Sequence, residues 1–173
     1  FLDVDDLWNS NKLKYQVRFL QRNKNYKFCY SNYFIKKKFK IKKVRYKDNL
    51  NSGKITQNLL NDYTIGILTV LIERSILVKN KFKRKYNIIG DFDLFLRISL
   101  SKNIAYIKKP LATYRIHEDN YTIKNMGKYV VEFEDWFNTN RDIFKKKGYF
   151  LLNQKIYLFK LKIKLFIQNF LGV

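Results

Sequence analysis

The sequence predicts an α/β domain followed by a helical carboxyl-terminal segment, and three observations support this prediction. Segments with strand character alternate with segments of helical periodicity up to about residue 124, and the remainder has helical character. Apolar residues make up 46% and aromatic residues 17% of the 173 residues, which excludes a disordered chain. One proline and six glycines leave long stretches free for regular structure, and the length suits one domain with a buried core.

The first part of the chain is predicted to contain a strand end, a helix and a second strand. "FLDVDD" (1–6) has the pattern of a buried strand that ends in a loop. A helix is expected within residues 7–23, with Ser10 as its N-cap. The apolar residues of that helix recur at steps of three or four and form its expected core face: Leu13, Val17 and Leu20. "YKFCYSNYFI" (26–35) is rich in aromatic residues, which favours a strand.

A strongly basic segment follows this strand. "KKKFKIKKVRYK" (36–47) is basic at eight of its twelve positions and alternates weakly between apolar and polar residues. Two interpretations remain open, a solvated edge hairpin and a strip that binds phosphate. "LNSGK" (50–54) is predicted as a turn.

The middle of the chain is predicted to form a strand, two helices and a strand pair. Residues 65–77 are the most apolar internal run and indicate a buried strand followed by a short helix. Residues 91–102 predict a helix with Asp91 and Asp93 at its start, where the helix dipole favours negative charge. Its expected core face consists of Leu94, Phe95 and Ile98. Residues 104–117 predict a strand, a turn marked by Pro110, and another short strand.

Residues 125–173 are predicted to form two helices joined near Gly148, a natural helix end. Three lysines interrupt the last segment, which is therefore too charged for a clean membrane span: Lys160, Lys162 and Lys164. Two interpretations remain open for this helix. It lies on an anionic membrane surface, or it packs on the domain with lysine stems covering apolar surface.

The chain carries a formal net charge of +22 and a single cysteine. Lysine, asparagine, isoleucine, tyrosine and phenylalanine all have AT-rich codons, so base composition alone explains part of the charge. The alternative explanation is attraction to a polyanion such as nucleic acid, anionic lipid or a phosphorylated substrate. Cys29 has no possible intramolecular disulfide partner, which fits a reducing compartment, and we expect it to be buried.

Three carboxylates lie within four positions at the start of this basic chain, at Asp3, Asp5 and Asp6. They repel one another unless lysines, a helix-capping role or a cation compensates their charge. Mg²⁺ and Mn²⁺ prefer oxygen ligands and commonly bind one or two carboxylates together with substrate phosphates. An Asp-x-Asp pair after a strand lies at the carboxyl edge of a sheet, where open α/β sheets bind ligands.

Four segments occur in this order along the chain: "FLDVDDLWNSNKLKYQV", "TVLIERSIL", "GDFDLFLRIS" and "YIKKPLATYRIH". Together they resemble the bacterial family 2 glycosyltransferases of the cell-surface polysaccharide type, which have the GT-A fold. The resemblance covers roughly residues 1–122 and implies a Rossmann-like mixed sheet with flanking helices. It implies that residues 1–124 are the carboxyl-terminal part of a GT-A catalytic domain, without the amino-terminal nucleotide-binding units. Residues 125–173 would then be a helical tail that associates with a membrane.

The resemblance also implies roles for individual residues. Asp3 and Asp5 fall on the motif for the nucleotide-sugar donor and the metal. Arg115 and His117 fall on the block that approaches the donor diphosphate, and Asp5 and His117 are the candidate ligands of Mn²⁺ or Mg²⁺. Asp91 falls on the general base that takes the proton of the acceptor hydroxyl, so Asp5, Asp91 and His117 are expected to line one cleft. Two further acids are candidate supporting residues: Asp6 and Asp93.

The function implied is an inverting, metal-dependent transfer of a sugar to a hydroxyl of a polysaccharide or lipid-linked acceptor. The expected location is cytoplasmic, peripheral on the inner face of the cell membrane. The alternative is a basic, non-catalytic nucleic-acid-binding module, suggested by the net charge of +22 and the many tyrosines and phenylalanines. The ordered acidic blocks argue against nucleic acid, because carboxylates repel phosphate. A third possibility is a partner subunit that keeps the fold without turnover.

Overall fold

The computed structural model describes residues 1–37, 40, 42–117 and 120–171. The strands in this part of the chain are β1 (Leu7–Trp8), β2 (Phe28–Lys37), β3 (Lys43–Val44), β4 (Leu71–Ile72) and β5 (Ala105–Ile116). The helices are α1 (Lys12–Arg22), α2 (Thr56–Asn61), α3 (Arg74–Lys79), α4 (Gly90–Ser99), α5 (Tyr121–Lys124), α6 (Met126–Lys146) and α7 (Leu152–Leu171). A short 3₁₀ helix covers Ile67–Thr69.

One mixed sheet contains all the described strands. Its central pair is β2 and β5, which run parallel from Cys29 opposite Ala105 to Lys37 opposite Ile116. β1 pairs antiparallel with the other edge of β5, while β3 and β4 pair antiparallel with opposite ends of β2. A mixed open sheet with flanking helices and a helical carboxyl-terminal part confirms the predicted α/β class.

The first six residues differ from the prediction, because they turn instead of forming a strand. The backbone N–H of Asp6 donates to the carbonyl of Asp3 at 3.1 Å, and the chain enters β1 only after this turn. The ring of Phe1 packs edge-on against Phe82 and Phe95, with centroids 5.7 and 6.4 Å apart. The start of the chain therefore lies beside α4.

Helix α1 forms as predicted, but its expected cap and core face are wrong. The helix begins at Lys12, and the side chain of Asn9, not Ser10, accepts the N–H of Asn11 at 3.0 Å. Lys12 and Gln16 are buried, whereas the predicted core residues Leu13 and Val17 are 47% and 41% exposed.

Hydrogen bonds to an irregular segment explain this inversion of α1. Side chains on one face of the Trp8–Gln16 region donate to three consecutive carbonyls that precede β4. The three donor–acceptor pairs are Trp8 Nε1 to Leu68 O (2.8 Å), Gln16 Nε2 to Thr69 O (2.7 Å) and Lys12 Nζ to Val70 O (3.3 Å). Buried carbonyls that find no partner in a sheet are costly, so these donors determine which face of α1 turns inward. Burial lowers the pKa of Lys12 to about 8.

The basic segment contributes an edge hairpin, as one of its two interpretations predicted. β3 pairs with β2 through Phe34 opposite Val44 and Ile35 opposite Lys43. Residues 38, 39 and 41 of this segment lie outside the described residues. The exposed Lys36 and Lys37 at the end of β2 belong to the site described below.

Two strand predictions in the middle of the chain need correction. Within 65–77 the expected buried strand is a 3₁₀ helix followed by the two-residue β4, although the expected helix α3 is present. The turn expected at Pro110 is absent, because β5 runs through it as one strand. Pro110 lies opposite Asn32, where the register of β2 and β5 shifts. A proline lacks an N–H to give to a ladder and is tolerated at such an irregularity.

The core extends from the sheet to α6 and α7. Helix α4 buries the three predicted residues fully, and the same cluster includes residues of the last two helices: Leu94, Phe95, Ile98, Phe133, Trp136, Leu158 and Leu161. Gly148 follows α6 with a φ of +81°, which confirms it as the helix end. Among the described helices, none is both long enough and apolar enough to span a bilayer. The division of the chain at residues 124 and 125 stays a prediction.

Candidate active site

The pairing of β1 with β5 brings the acidic start of the chain to residues near position 115. His117 Nε2 lies 2.6 Å from Asp5 Oδ2. The backbone N–H of Arg115 donates to Asp6 Oδ1 at 3.0 Å, and Arg115 Nε donates to the carbonyl oxygen of Asp5. Four of the predicted site residues are thereby assembled from the two ends of the α/β part of the chain.

Asn120 completes this cluster and was missed by the sequence analysis. Its Nδ2 lies 3.4 Å from both Asp5 Oδ2 and the Arg115 carbonyl, while its Oδ1 accepts the N–H of His117 at 2.9 Å. Asn120 is only 7% exposed. The available signal was its position just before α5, where asparagine is a preferred N-cap residue.

The three carboxylates at the start of the chain form a compact group with unequal acidity. Ligand atoms of Asp3, Asp5 and Asp6 lie within 4.8 Å of one another. Burial, aided by the charges of Asp5 and Asp3, raises the pKa of Asp6 to about 6. The hydrogen bond from His117 lowers the pKa of Asp5. The oxygen atoms of these three carboxylates are ligands of the kind that Mn²⁺ and Mg²⁺ prefer, and a cation there would relieve their mutual repulsion.

A cationic cavity of about 350 Å³ adjoins this cluster. It is lined by Asp5, Arg115 and His117 together with Lys36 and Lys37, the last residues of β2. Lys36 lies opposite Arg115 in the parallel ladder, so the two cations are neighbours. Three cations beside a carboxylate cluster suit a phosphate group, and the phosphate-binding interpretation of the basic segment stays a prediction.

Asp91 lies in the first turn of α4, at a second and larger cavity of about 720 Å³. Its Oδ1 accepts the N–H of Phe92 at 2.7 Å, and the Tyr63 hydroxyl lies 3.4 Å from its Oδ2. Burial raises the pKa of Asp91 to about 6, against the opposing effect of these hydrogen bonds. A carboxyl group with a pKa close to neutrality is well suited to act as a general base.

The wall of the Asp91 cavity combines aromatic and polar side chains. Its aromatic members are Tyr63, Phe92, Tyr129, Phe133 and Tyr157. Its polar members include Arg45, Asn61, Asp62, Thr122, Asn153, Gln154 and Lys160. The size and the mixture of apolar surface with a few polar groups are those of an ordinary ligand site. Helices α2, α4, α6 and α7 all contribute to it.

The structure joins Asp5 to His117 but places Asp91 in a separate cavity, so these three residues do not line one cleft as predicted. The packing of Phe1 on Phe95 of α4 holds the acidic segment beside the helix that carries Asp91.

Asp93, predicted as a supporting residue, does not line this cavity and is fully buried. Its carboxylate lies 3.0 Å from Lys83 Nζ and 2.8 Å from Arg97 Nε. The pair with Lys83 ties α4 to the segment before it, and Arg97 of α4 also donates from Nη2 to the carbonyl of Lys81 at 2.8 Å, so the contacts of Asp93 are structural.

Glu132 of α6 was also missed, and it fixes the approach to Asp91. Its buried carboxylate accepts the backbone N–H groups of Asn87, Ile88 and Ile89 at 3.0, 2.8 and 3.2 Å. These residues directly precede α4, whose second residue is Asp91. A single carboxylate thus anchors the helix start that presents the candidate base.

Curated relatives point to an activity class, although no protein-family model matches the chain. A Rickettsia bellii protein named an uncharacterized glycosyltransferase is 30% identical over 133 residues, which are 75% of this chain and 19% of that protein. Two Escherichia coli proteins, WfgD and WfaP, are 37% and 34% identical over 109 and 120 residues. Both are named UDP-Glc:alpha-D-GlcNAc-diphosphoundecaprenol beta-1,3-glucosyltransferase.

The matches support a glycosyltransferase family. The E. coli matches cover 62% and 68% of this chain and 40% and 45% of those proteins. The chain therefore spans less than half the length of each of these three relatives.

Replacing Glu132 by alanine is expected to lower the free energy of unfolding by about 2–3 kcal/mol, because buried N–H groups lose their acceptor. Glu134→Ala is the matched control on the same helix. Glu134 contacts Lys162 at the surface, and an exposed ion pair contributes at most about 1 kcal/mol. Urea unfolding of the 173-residue chain measures the free energy of unfolding of both variants. Equal decreases in Glu132→Ala and Glu134→Ala would contradict an anchoring role for Glu132.

Proposed function

We propose that this chain is part of an inverting, metal-dependent family 2 glycosyltransferase. It transfers a sugar from a nucleotide-sugar donor to a hydroxyl of a polysaccharide or lipid-linked acceptor. The observation that carries this proposal is the cluster of Asp5, Arg115 and His117 beside a cationic cavity, in a chain similar to glycosyltransferases. The family 2 assignment rests on the resemblance of the four sequence segments.

The donor diphosphate binds, in this proposal, at the cationic cavity beside the carboxylate cluster. Lys36, Lys37 and Arg115 line that cavity and stabilise the negative charge that grows on the leaving diphosphate. Asp5 and His117 would hold a Mn²⁺ or Mg²⁺ ion, with Asp3 next to them. When bound, such an ion supplies Lewis-acid stabilisation of phosphate oxygens.

Asp91 takes the proton of the acceptor hydroxyl as that oxygen attacks the sugar carbon. A sugar hydroxyl is a weak nucleophile, so a positioned carboxylate base assists the attack. The raised pKa of Asp91, about 6, leaves it ionised at neutral pH and close to the optimum for proton transfer. One base and one direct displacement invert the configuration at the anomeric carbon.

The acceptor occupies the cavity of about 720 Å³ around Asp91. The names of WfgD and WfaP specify a sugar linked through a diphosphate to undecaprenol, and we propose an acceptor of this lipid-linked class here. Arg45 and Lys160 line the cavity and are suited to the negative charge of such an acceptor.

The nucleic-acid-binding alternative is not favoured. The curated relatives are named glycosyltransferases, and the carboxylates of Asp3, Asp5 and Asp6 would repel a phosphate backbone. The other alternative, a partner subunit that keeps the fold without catalysis, is tested by measuring whether the wild-type protein turns over substrate.

The assignment of roles predicts different defects in two variants of the complete gene product. Asp5→Asn is expected to remove the Mn²⁺-dependent part of donor binding. Asp91→Asn is expected to leave donor binding nearly intact and to lower turnover by about 10²-fold or more, the effect of losing a general base. Calorimetric titration with nucleotide-sugar and single-turnover kinetics measure the two properties.

The control variant is Asp62→Asn, because Asp62 lines the same cavity as Asp91 and is exposed. It is expected to retain turnover within a few-fold. If Asp62→Asn loses turnover while Asp91→Asn keeps full activity, then Asp62 is the general base and the assignment of Asp91 is wrong. Equal loss of donor affinity in Asp5→Asn and Asp91→Asn would contradict the assignment of donor binding to Asp5 and of proton transfer to Asp91. A wild-type protein without turnover would favour the non-catalytic subunit.

Turnover is expected to fall about tenfold per pH unit below about pH 6, because only the ionised form of Asp91 accepts a proton. Asp6 has a similar pKa, so a second variant is needed to identify the group. The hydrogen bond from Tyr63 lowers the pKa of Asp91, and Tyr63→Phe is therefore expected to move the acid limb to higher pH. A pH–rate profile that is unchanged in Tyr63→Phe would exclude Asp91 as the titrating base.

A further inference from the structure

Helix α7 has two apolar faces, and one of them is exposed. The inner face includes Leu158 and Leu161, which belong to the buried core. The exposed apolar side chains recur at helical spacing on the other side: Leu152, Ile156, Phe159, Ile163, Phe166 and Phe170. These six residues are called the apolar stripe below.

The apolar stripe is narrow, continuous and long. At 100° per residue its six members fall within an arc of about 80°, on the side of α7 away from the core. At 1.5 Å per residue it extends for about 27 Å. Its aromatic members Phe159, Phe166 and Phe170 are 65%, 71% and 81% exposed. A contiguous exposed patch of this kind indicates an interaction surface.

Lysines border the apolar stripe on both sides. The same helical projection puts Lys155 and Lys162 along one edge and Lys160 and Lys164 along the other. Lys162 also contacts Glu134 of α6 at 2.5 Å. The α7 sequence itself contains no acidic residue. These lysines therefore flank a second apolar face that the core does not use.

We propose that the apolar stripe lies on an anionic lipid surface, with α7 parallel to the surface. The phenylalanines enter the boundary between headgroups and acyl chains, and the flanking lysines meet the anionic headgroups. A second copy of the chain fits less well, because two stripes placed face to face would bring the lysines of both helices together without acids between them. A nucleic acid would engage the lysines but leave the phenylalanines exposed.

This surface adjoins the Asp91 cavity. Ile156 belongs to the apolar stripe and also lines that cavity, as does the bordering Lys160. A lipid surface against α7 is therefore next to the cavity in which the proposed function places the acceptor.

The test is co-sedimentation of the 173-residue chain with vesicles of phosphatidylcholine alone or mixed with phosphatidylglycerol, at low and high salt. The stripe variant carries Phe159→Asn, Phe166→Asn and Phe170→Asn and is expected to bind the anionic vesicles at least tenfold more weakly. Its control replaces exposed apolar residues of other helices: Leu13→Asn, Val78→Asn and Val131→Asn. The control is expected to bind within twofold of the wild type.

A charge-matched pair tests the lysines. Lys155→Gln with Lys164→Gln is expected to weaken binding to anionic vesicles at low salt by about fivefold per lysine. Lys14→Gln with Lys24→Gln removes the same charge elsewhere and is expected to change binding little. Equal losses in the two lysine pairs would mean that net charge alone drives binding, which would overturn the proposal.

Insertion of the apolar stripe is measured by a tryptophan at position 166. The emission of Phe166→Trp is expected to shift to the blue and to be quenched by brominated acyl chains, after subtraction of the wild-type signal. Val131→Trp is expected to show neither effect. An unquenched Phe166→Trp, a wild type that binds no vesicle, or a stripe variant that changes only from dimer to monomer in analytical ultracentrifugation would each overturn the proposal. None of these measurements requires donor or turnover, so their failure is distinct from failure of the proposed enzyme activity.

Discussion

The parallel pairing of β2 with β5 is the constraint on which both sites depend. It aligns the carboxyl ends of the two strands, so that Lys36 and Arg115 become neighbours at one edge of the sheet. β1 pairs with the other edge of β5, and this pairing places Asp5 beside His117 at the same edge of the sheet. Parallel strands require a long crossover connection, and here that connection contains α4 and the candidate base.

Buried carboxylates serve two purposes in this basic protein. Asp93 and Glu132 have all their charge compensated by cations or by backbone N–H groups, and they hold α4 at both its start and its first turn. Asp91 has fewer such partners, and burial therefore raises its pKa. Because Asp93 and Glu132 fix the position of α4, the reactive carboxyl group of Asp91 is held at a defined place.

The pattern of apolar residues predicted which residues are buried where apolar packing determines burial. It failed where polar contacts determine which face of a helix is buried. The core residues of α4 were predictable because they are apolar and almost all of the helix is buried, and Gly148 was predictable from its tolerance of positive φ. The face of α1 was not, because Lys12 and Gln16 are buried by hydrogen bonds to distant carbonyls. Asp5, Arg115 and His117 could be named from motifs, whereas Asn120 had only the weak signal of an N-cap residue and Glu132 acts through backbone contacts that leave no pattern in the sequence.

The two cavities are built from different parts of the chain, and this separation affects how the protein can diversify. The cationic cavity uses the ends of β2 and β5, whose register the whole sheet enforces. The larger cavity uses side chains of α2, α6 and α7, where a substitution alters the wall without disturbing a strand pair. Natural variants can therefore change the wall of the larger cavity through helix surfaces while the strand-built cavity stays the same, and grafting the last two helices between homologues would exchange that wall without altering the cationic cavity.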